Sequence, residues 1–146
     1  MIRNMQISAA ILVAAAAAVV LVFASNVSGA FHINKKVHDH VYNNITLYAR
    51  LDVHCKSKQD DLGLQWVGYE QEFVFNFYPN FQETTLFWCN LSWEDPDTGH
   101  VYSQGIQAFT LGKCFTDCYW LAKRDGIYFA NEDGPQDYKL AYPWNS

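Results

Sequence analysis

The chain has 146 residues and a formal net charge of −5, with 10 Lys and Arg against 15 Asp and Glu. An acidic balance without a basic cluster excludes nucleic acid as a natural partner, because phosphate contacts need grouped Lys and Arg, and it disfavours an anionic membrane surface for the same reason. Aromatic residues make up 16% of the chain, enough large rings to fill the gap between two packed sheets.

The first thirty residues read as an export leader. Arg3 gives a positive start, Ile7 to Ala24 carries no charge, and Ser28-Gly29-Ala30 puts small residues where a signal peptidase cuts. Phe31 is then the expected first residue of the mature chain. Cleavage after Ala24 is one alternative. An uncleaved anchor is another, since the apolar run reaches the shortest membrane span of about 18 residues. Residues 1–30 are thus assigned to a signal peptide and 31–146 to one domain, with no membrane insertion after cleavage and a monomeric state expected. Losing Arg3 leaves 9 basic against 15 acidic side chains, a net charge of −6.

Within the mature part, Val37, Asp39 and Val41 form a weak alternation that suits a short edge strand, and Asn43-Asn44 suits a turn. Leu47, Ala49, Leu51, Val53 and Cys55 then share one face of a half-buried strand, opposite Tyr48, Arg50, Asp52, His54 and Lys56. Lys56 to Gly63 breaks the pattern with charge and glycine and reads as an exposed connection. Phe73, Phe75 and Phe77 point inward from a strand that Pro79 ends. Thr84 to Trp93 reads as the central strand, with Phe87, Cys89, Leu91 and Trp93 inward.

Glu94 to Gly99 is a loop by composition, and Tyr102 to Leu111 a strand of ambiguous phase. Cys114 to Ala122 reads as a strand with Cys118 and Trp120 on one face. It leads into a hairpin at Lys123-Arg124-Asp125-Gly126, where Asp-Gly readily adopts positive φ, and a return strand over Ile127 to Phe129. The polar tail from Asn131 is expected to be loosely held. About six or seven short strands without a helical period imply a small all-β, antiparallel sandwich stapled by disulfides.

Four cysteines in an exported domain imply two disulfides among Cys55, Cys89, Cys114 and Cys118, each worth about 2–4 kcal/mol. Three pairings exist. The inward positions of Cys55 and Cys89 suit bridges from each to one of the later pair. A direct Cys114–Cys118 bridge is disfavoured if both lie on one strand, which holds their Cα atoms too far apart. A zinc site at these cysteines is disfavoured by export. His38-x-His40 and Asp60-Asp61 lack the spacing of a metal or calcium site and read as solvated surface, so neither metal nor cofactor is expected. Two sequons, Asn44-Ile-Thr46 and Asn90-Leu-Ser92, are candidate glycosylation sites. Asn44 lies at a turn, whereas Asn90 lies mid-strand beside Trp88, where a glycan requires an open outer face. No hydrolase motif is present, and no catalytic residue is assigned.

Taken in order, these residues resemble a known family. Val53-His54-Cys55-Lys56-Ser57-Lys58 with Asp60-Asp61-Leu62-Gly63, the spaced Phe73 and Phe75, Thr85-Leu86-Phe87-Trp88-Cys89 with Trp93, Cys114-x-x-x-Cys118-Tyr119-Trp120, and Gly126-Ile127-Tyr128 are similar to the signature blocks of plant S1-type self-incompatibility proteins, the S-protein homologues. The histidine-rich start and Asn90 depart from that pattern. The resemblance implies a small secreted β-sandwich with two disulfides, acting without catalysis as an extracellular ligand. In poppy such a protein from the stigma is recognised by a pollen membrane partner and triggers rejection of self pollen. The expected partner is therefore a cell-surface receptor, read through the connections Lys56–Gly63, Glu94–His100 and Lys123–Gly126. A secreted hydrolase or toxin-like enzyme, and a passive wall or storage protein, are the competing readings.

Overall fold

A computed structural model describes residues 35–80, 82 and 84–145, so the expected leader lies outside the described residues. Nine strands follow in order: β1 (Val37–Asn43), β2 (Leu51–Lys56), β3 (Asp61–Val67), β4 (Glu72–Phe77), β5 (Leu86–Glu94), β6 (Val101–Thr110), β7 (Asp117–Lys123), β8 (Gly126–Asn131) and β9 (Lys139–Pro143). They form a five-stranded sheet, β4-β1-β7-β8-β9, and a four-stranded sheet, β3-β2-β5-β6. Neighbours run antiparallel except β1 and β7, which pair in parallel from His38↔Asp117 to Asn43↔Ala122. No helix occurs among the described residues, and so none is long and apolar enough to cross a membrane.

Period-two alternation builds the interior as expected over much of the chain. Leu51, Val53 and Cys55 from β2 and Phe87, Cys89, Leu91 and Trp93 from β5 are buried, facing Trp120 and Cys118 from β7. The β4 phenylalanines stack as a ladder, with Phe73–Phe75 and Phe75–Phe77 centroids 5.7 and 5.9 Å apart, and Phe77 meets Phe109 edge-on at 4.7 Å. Such offset and edge contacts add to the burial of the rings themselves. Trp120 also joins the sheets by a hydrogen bond, its Nε1–H donating to the Ala108 carbonyl at 3.2 Å.

Several expectations are corrected. β1 is an interior strand between β4 and β7, not an edge, and it buries Asp39 and Asn43 as well as Val37 and Val41. β2 starts at Leu51, because the chain turns over Thr46–Ala49 with Tyr48 at φ +68°; Leu47 is thereby exposed instead of inward. Asp61–Val67, partly read as a loop, is strand β3. The phase of β6 is ambiguous because a bulge opposite Phe87/Trp88 lets Ala108 and Phe109 both turn inward. The tail is ordered: β9 pairs with β8, Trp144 Nε1–H donates to the Lys123 carbonyl at 2.7 Å, and Asn145 bridges to Ser103 of the other sheet.

The disulfides also differ from the favoured pairing. Cys55 and Cys89 are direct cross-strand partners on β2 and β5, with Cα atoms 4.0 Å apart, and they bond to each other. Cys114 bonds to Cys118. Cys114 precedes β7 in a bend, so the chain doubles back and brings these Cα atoms to 5.5 Å, inside normal bridge range.

Candidate functional site

The connections sort to two ends of the sandwich. At one end lie Asn44–Arg50, Glu94–His100 and the Lys123–Gly126 hairpin. The Lys56–Gly63 segment lies at the opposite end, because β2 runs away from the first end and Lys56 pairs with Trp88 near the start of β5. Two of the three expected recognition loops are thus brought together, and the third is not.

The shared end is tied internally. Asp95 is buried; its Oδ1 accepts from the Asp97 N–H at 2.8 Å and its Oδ2 from Arg124 Nη2 at 3.0 Å. The Asp97 backbone N–H, with Arg124 adding, holds this carboxyl below the usual range against the opposing effect of burial. The Asp95 N–H donates to the His100 carbonyl and the Gly99 N–H returns to the Asp95 carbonyl, both at 2.8 Å, which closes the loop on itself. Arg124 therefore clips the β7–β8 hairpin to the β5–β6 loop across the two sheets.

Beside them, Asn43 organises the segment after β1. Its Nδ2 donates to the Ala49 and Val67 carbonyls at 2.8 and 2.9 Å, and its Oδ1 accepts from the Ile45 N–H at 3.1 Å. The turn expected at Asn43-Asn44 is thus present as an Asx turn, with the Asn43 side chain buried. What it holds in place is Tyr48. A non-glycine residue at φ +68° is uncommon, and such strain persists only when the surroundings impose it. Tyr48 is 85% exposed, and Leu47 and Val101 are exposed near it. An open cleft of ≈ 420 Å³ runs along this end past Tyr48, Arg50, Asp52, Ser92, Pro96 and Val101. Arg50 is fixed in it by Asp52 Oδ1 at 2.8 Å and lies over the Trp66 ring at 4.6 Å. Sequence reasoning placed Tyr48 on the outer face of a strand and missed its turn at positive φ; Asn43-Asn44, upstream of it, was the available signal.

A model of the plant self-incompatibility protein S1 family matches residues 38–144. The chain belongs to the plant self-incompatibility protein S1 family. Among its relatives, S-protein homolog 21 of Arabidopsis thaliana is 40% identical over 93 residues, 61% of this chain and 68% of that one. S-protein homolog 74 of the same plant is 35% identical over 109 residues, 73% of this chain and 70% of the relative. Self-incompatibility protein S1 of Papaver rhoeas is 33% identical over 78 residues, 53% of this chain and 56% of the relative. A solved structure of SPH proteins, described as a widespread family of small, highly stable, secreted plant proteins, superimposes with a TM-score of 0.59. It covers 77% of this chain and 97% of that one at 17% identity, a likeness of fold.

In this family member the remaining candidates, Asn44 apart, fall outside the loop cluster. The Lys56–Gly63 segment borders a second cleft of ≈ 660 Å³ with Tyr78, Leu86 and Trp88. Asp61 Oδ1 there accepts from the Gly63 N–H at 2.9 Å and His54 Nε2 at 2.6 Å, contacts that keep its carboxyl below the usual range. His40 is not free surface: its two ring nitrogens face Glu72 Oε2 at 3.3 Å and Asp117 Oδ1 at 3.0 Å, and its ring stacks on Tyr119 at 4.7 Å. Among the described residues no group of three or more His, Cys, Asp or Glu is arranged to hold a metal. Asn44 follows β1 half-buried, its N–H bonded to the Ala122 carbonyl, whereas Asn90 stands exposed on the outer face of β5.

Proposed function

We propose that the protein is exported and acts, without catalysis of its own, as a monomeric extracellular ligand read by a receptor protein on the cell surface. The observation that carries this reading is Tyr48: an exposed aromatic residue at positive φ in a turn held by three buried hydrogen bonds of the Asn43 side chain, two donated and one accepted. An aromatic anchor whose loop needs no ordering on contact is the kind of group that dominates a protein interface. Leu47 and Val101 supply apolar surface beside it, while Arg50, Asp52 and Arg124 supply charge at its rim. The apolar run before Phe31, the two disulfides and the family's likeness to secreted plant proteins support export. The recognition step, and no single downstream response such as rejection of pollen, is what the surface supports.

The test uses fluorescently labelled protein recovered from the medium of plant cells and added to plant protoplasts. Saturable binding is expected, abolished by prior trypsin treatment of the protoplasts. Tyr48→Ala, a surface change, is expected to weaken binding at least about tenfold, the scale of an interface hot spot. Exchange of the Glu94–His100 loop should weaken it also. Saturable binding that survives Tyr48→Ala and both loop exchanges at this end sinks the assignment. Absence of saturable binding favours the wall or storage reading.

A further inference from the structure

The outer face of the four-stranded sheet carries an exposed tryptophan beside a sequon, in a register that suits one purpose. Successive residues of β5 alternate faces, so Trp88, Asn90 and Ser92 stand in one line on the solvent side, with Cα atoms of neighbouring members about 7 Å apart. Trp88 is 46% exposed although it sits mid-sheet between Lys56 and Gln107. The other tryptophan on this face, Trp66, is 68% exposed but lies on β3, two strands away from Asn90, and Arg50 sits 4.6 Å from its ring; Trp88 is the one on the same strand as Asn90. Asn90 lies between His54 and Gly105. A Cβ at position 105 would stand 3.2 Å from Asn90 Oδ1, so glycine on that side leaves the amide free to project.

We propose that Asn90 carries an N-linked glycan whose first N-acetylglucosamine lies over the Trp88 indole. Asn90 Nδ2 bonds to C1 of that sugar as the C1–O bond to a lipid diphosphate oligosaccharide donor breaks. The diphosphate leaves with the electron pair, and the Nδ2 proton is lost to base. A pyranose presents a face of C–H groups, and an indole is the one large apolar surface within reach of Asn90 along its own strand. On the far side the neighbours are Ser92 and Glu94, which offer the sugar no such platform. Stacking there removes apolar area of both partners from water. It also covers the middle of this sheet and leaves the Tyr48 end clear. The inference rests on export, which the secretory glycosylation machinery requires.

The experiment compares wild type, Asn90→Gln, Trp88→Ala, Trp88→Phe and the Trp88→Ala/Asn90→Gln double variant, each expressed as the full chain in plant leaf cells. Intact mass and glycopeptide sequencing are read on cell-retained and exported protein alike. Glycan at Asn90 is expected in wild type. Loss of it in Asn90→Gln should lower Tm by about 3 °C. The same loss in the Trp88→Ala background should change Tm little, and Trp88→Phe should retain most of the coupling. A chain cleaved of its leader but bare at Asn90 overturns this inference alone. Equal Tm shifts in the two backgrounds likewise overturn it. A chain that keeps residues 1–30 and carries no sugar overturns it together with the extracellular function.

Discussion

Asp39 stands on the inward side of β1, fully buried, with neither carboxylate oxygen hydrogen-bonded among the described residues. Its strand neighbours are Phe75 and Cys118, and the nearest opposing charge is Lys113. Lys113 is itself engaged, donating to the Gln107 carbonyl at 2.6 Å and lying over the Trp120 ring at 4.9 Å. Burial pushes the Asp39 carboxyl well above its ordinary value, with Lys113 opposing that only in part. The folded state therefore binds this proton more tightly than the unfolded chain does. Its contribution to stability is full below the ordinary carboxylate value near 3.8 and is lost as pH rises from there through the folded value. Asp39→Asn removes the titration and keeps the shape. Urea unfolding at pH 3, 5 and 7 should show the variant gaining on wild type as pH rises, by at most about 1.4 kcal/mol per pH unit. A difference that stays flat across the range would mean that Asp39 finds a partner when ionised.

At the scale of elements, the β7–β8–β9 corner depends on one glycine for a reason other than the turn itself. The hairpin closes over Arg124 and Asp125, neither of which adopts positive φ. At Gly126 an added Cβ would lie 2.6 Å from Leu140 Cδ1 and 2.7 Å from the Tyr142 carbonyl oxygen, which cannot move without opening the β8–β9 ladder. Gly126→Ala is expected to cost about 1–3 kcal/mol, the range for forced overpacking. It should also expose the chain after Tyr138 to limited proteolysis; unchanged stability and protease resistance would contradict this account. The corner also marks where the sequence stops being legible. Strands with one dry and one wet face announced themselves by alternation: β2 from Leu51, β4, β5 and β7. β1 was legible as a strand but read as an edge, because two of its inward residues are polar, Asp39 and Asn43. β3 hid because its pattern is inverted, with Leu64 and Trp66 facing solvent and Gln65 turned inward. β9 is held by pairing with β8 and by Trp144, contacts that no local pattern encodes. Of the candidate site, the Glu94–His100 loop and the hairpin were readable from turn chemistry. Their meeting through Asp95 and Arg124 needed the topology, as did the buried role of Asn43.

For the whole molecule, the two disulfides staple different things. Cys55–Cys89 closes a loop with a sequence separation of 34 and locks β2 to β5 at the centre of one sheet. Cys114–Cys118 closes a separation of only 4 at the entrance to β7. Loop-closure entropy assigns about 3.8 kcal/mol to the first and about 1.9 kcal/mol to the second. Replacing Cys55 and Cys89 together by Ser should then cost more than replacing Cys114 and Cys118, by about 2 kcal/mol of loop-closure entropy, since all four positions are buried and the loss from burying the serine hydroxyls is common to both variants. The pairing has an independent chemical check. Lys113 and Lys123 bracket both later cysteines, so trypsin releases Cys114–Lys123 as one peptide. From unreduced protein this peptide should appear unlinked and two hydrogens lighter than after reduction. Either crossed pairing would instead attach it to the peptides bearing Cys55 and Cys89. Its appearance only in that larger species would overturn both the connectivity and the ranking of the two stabilities.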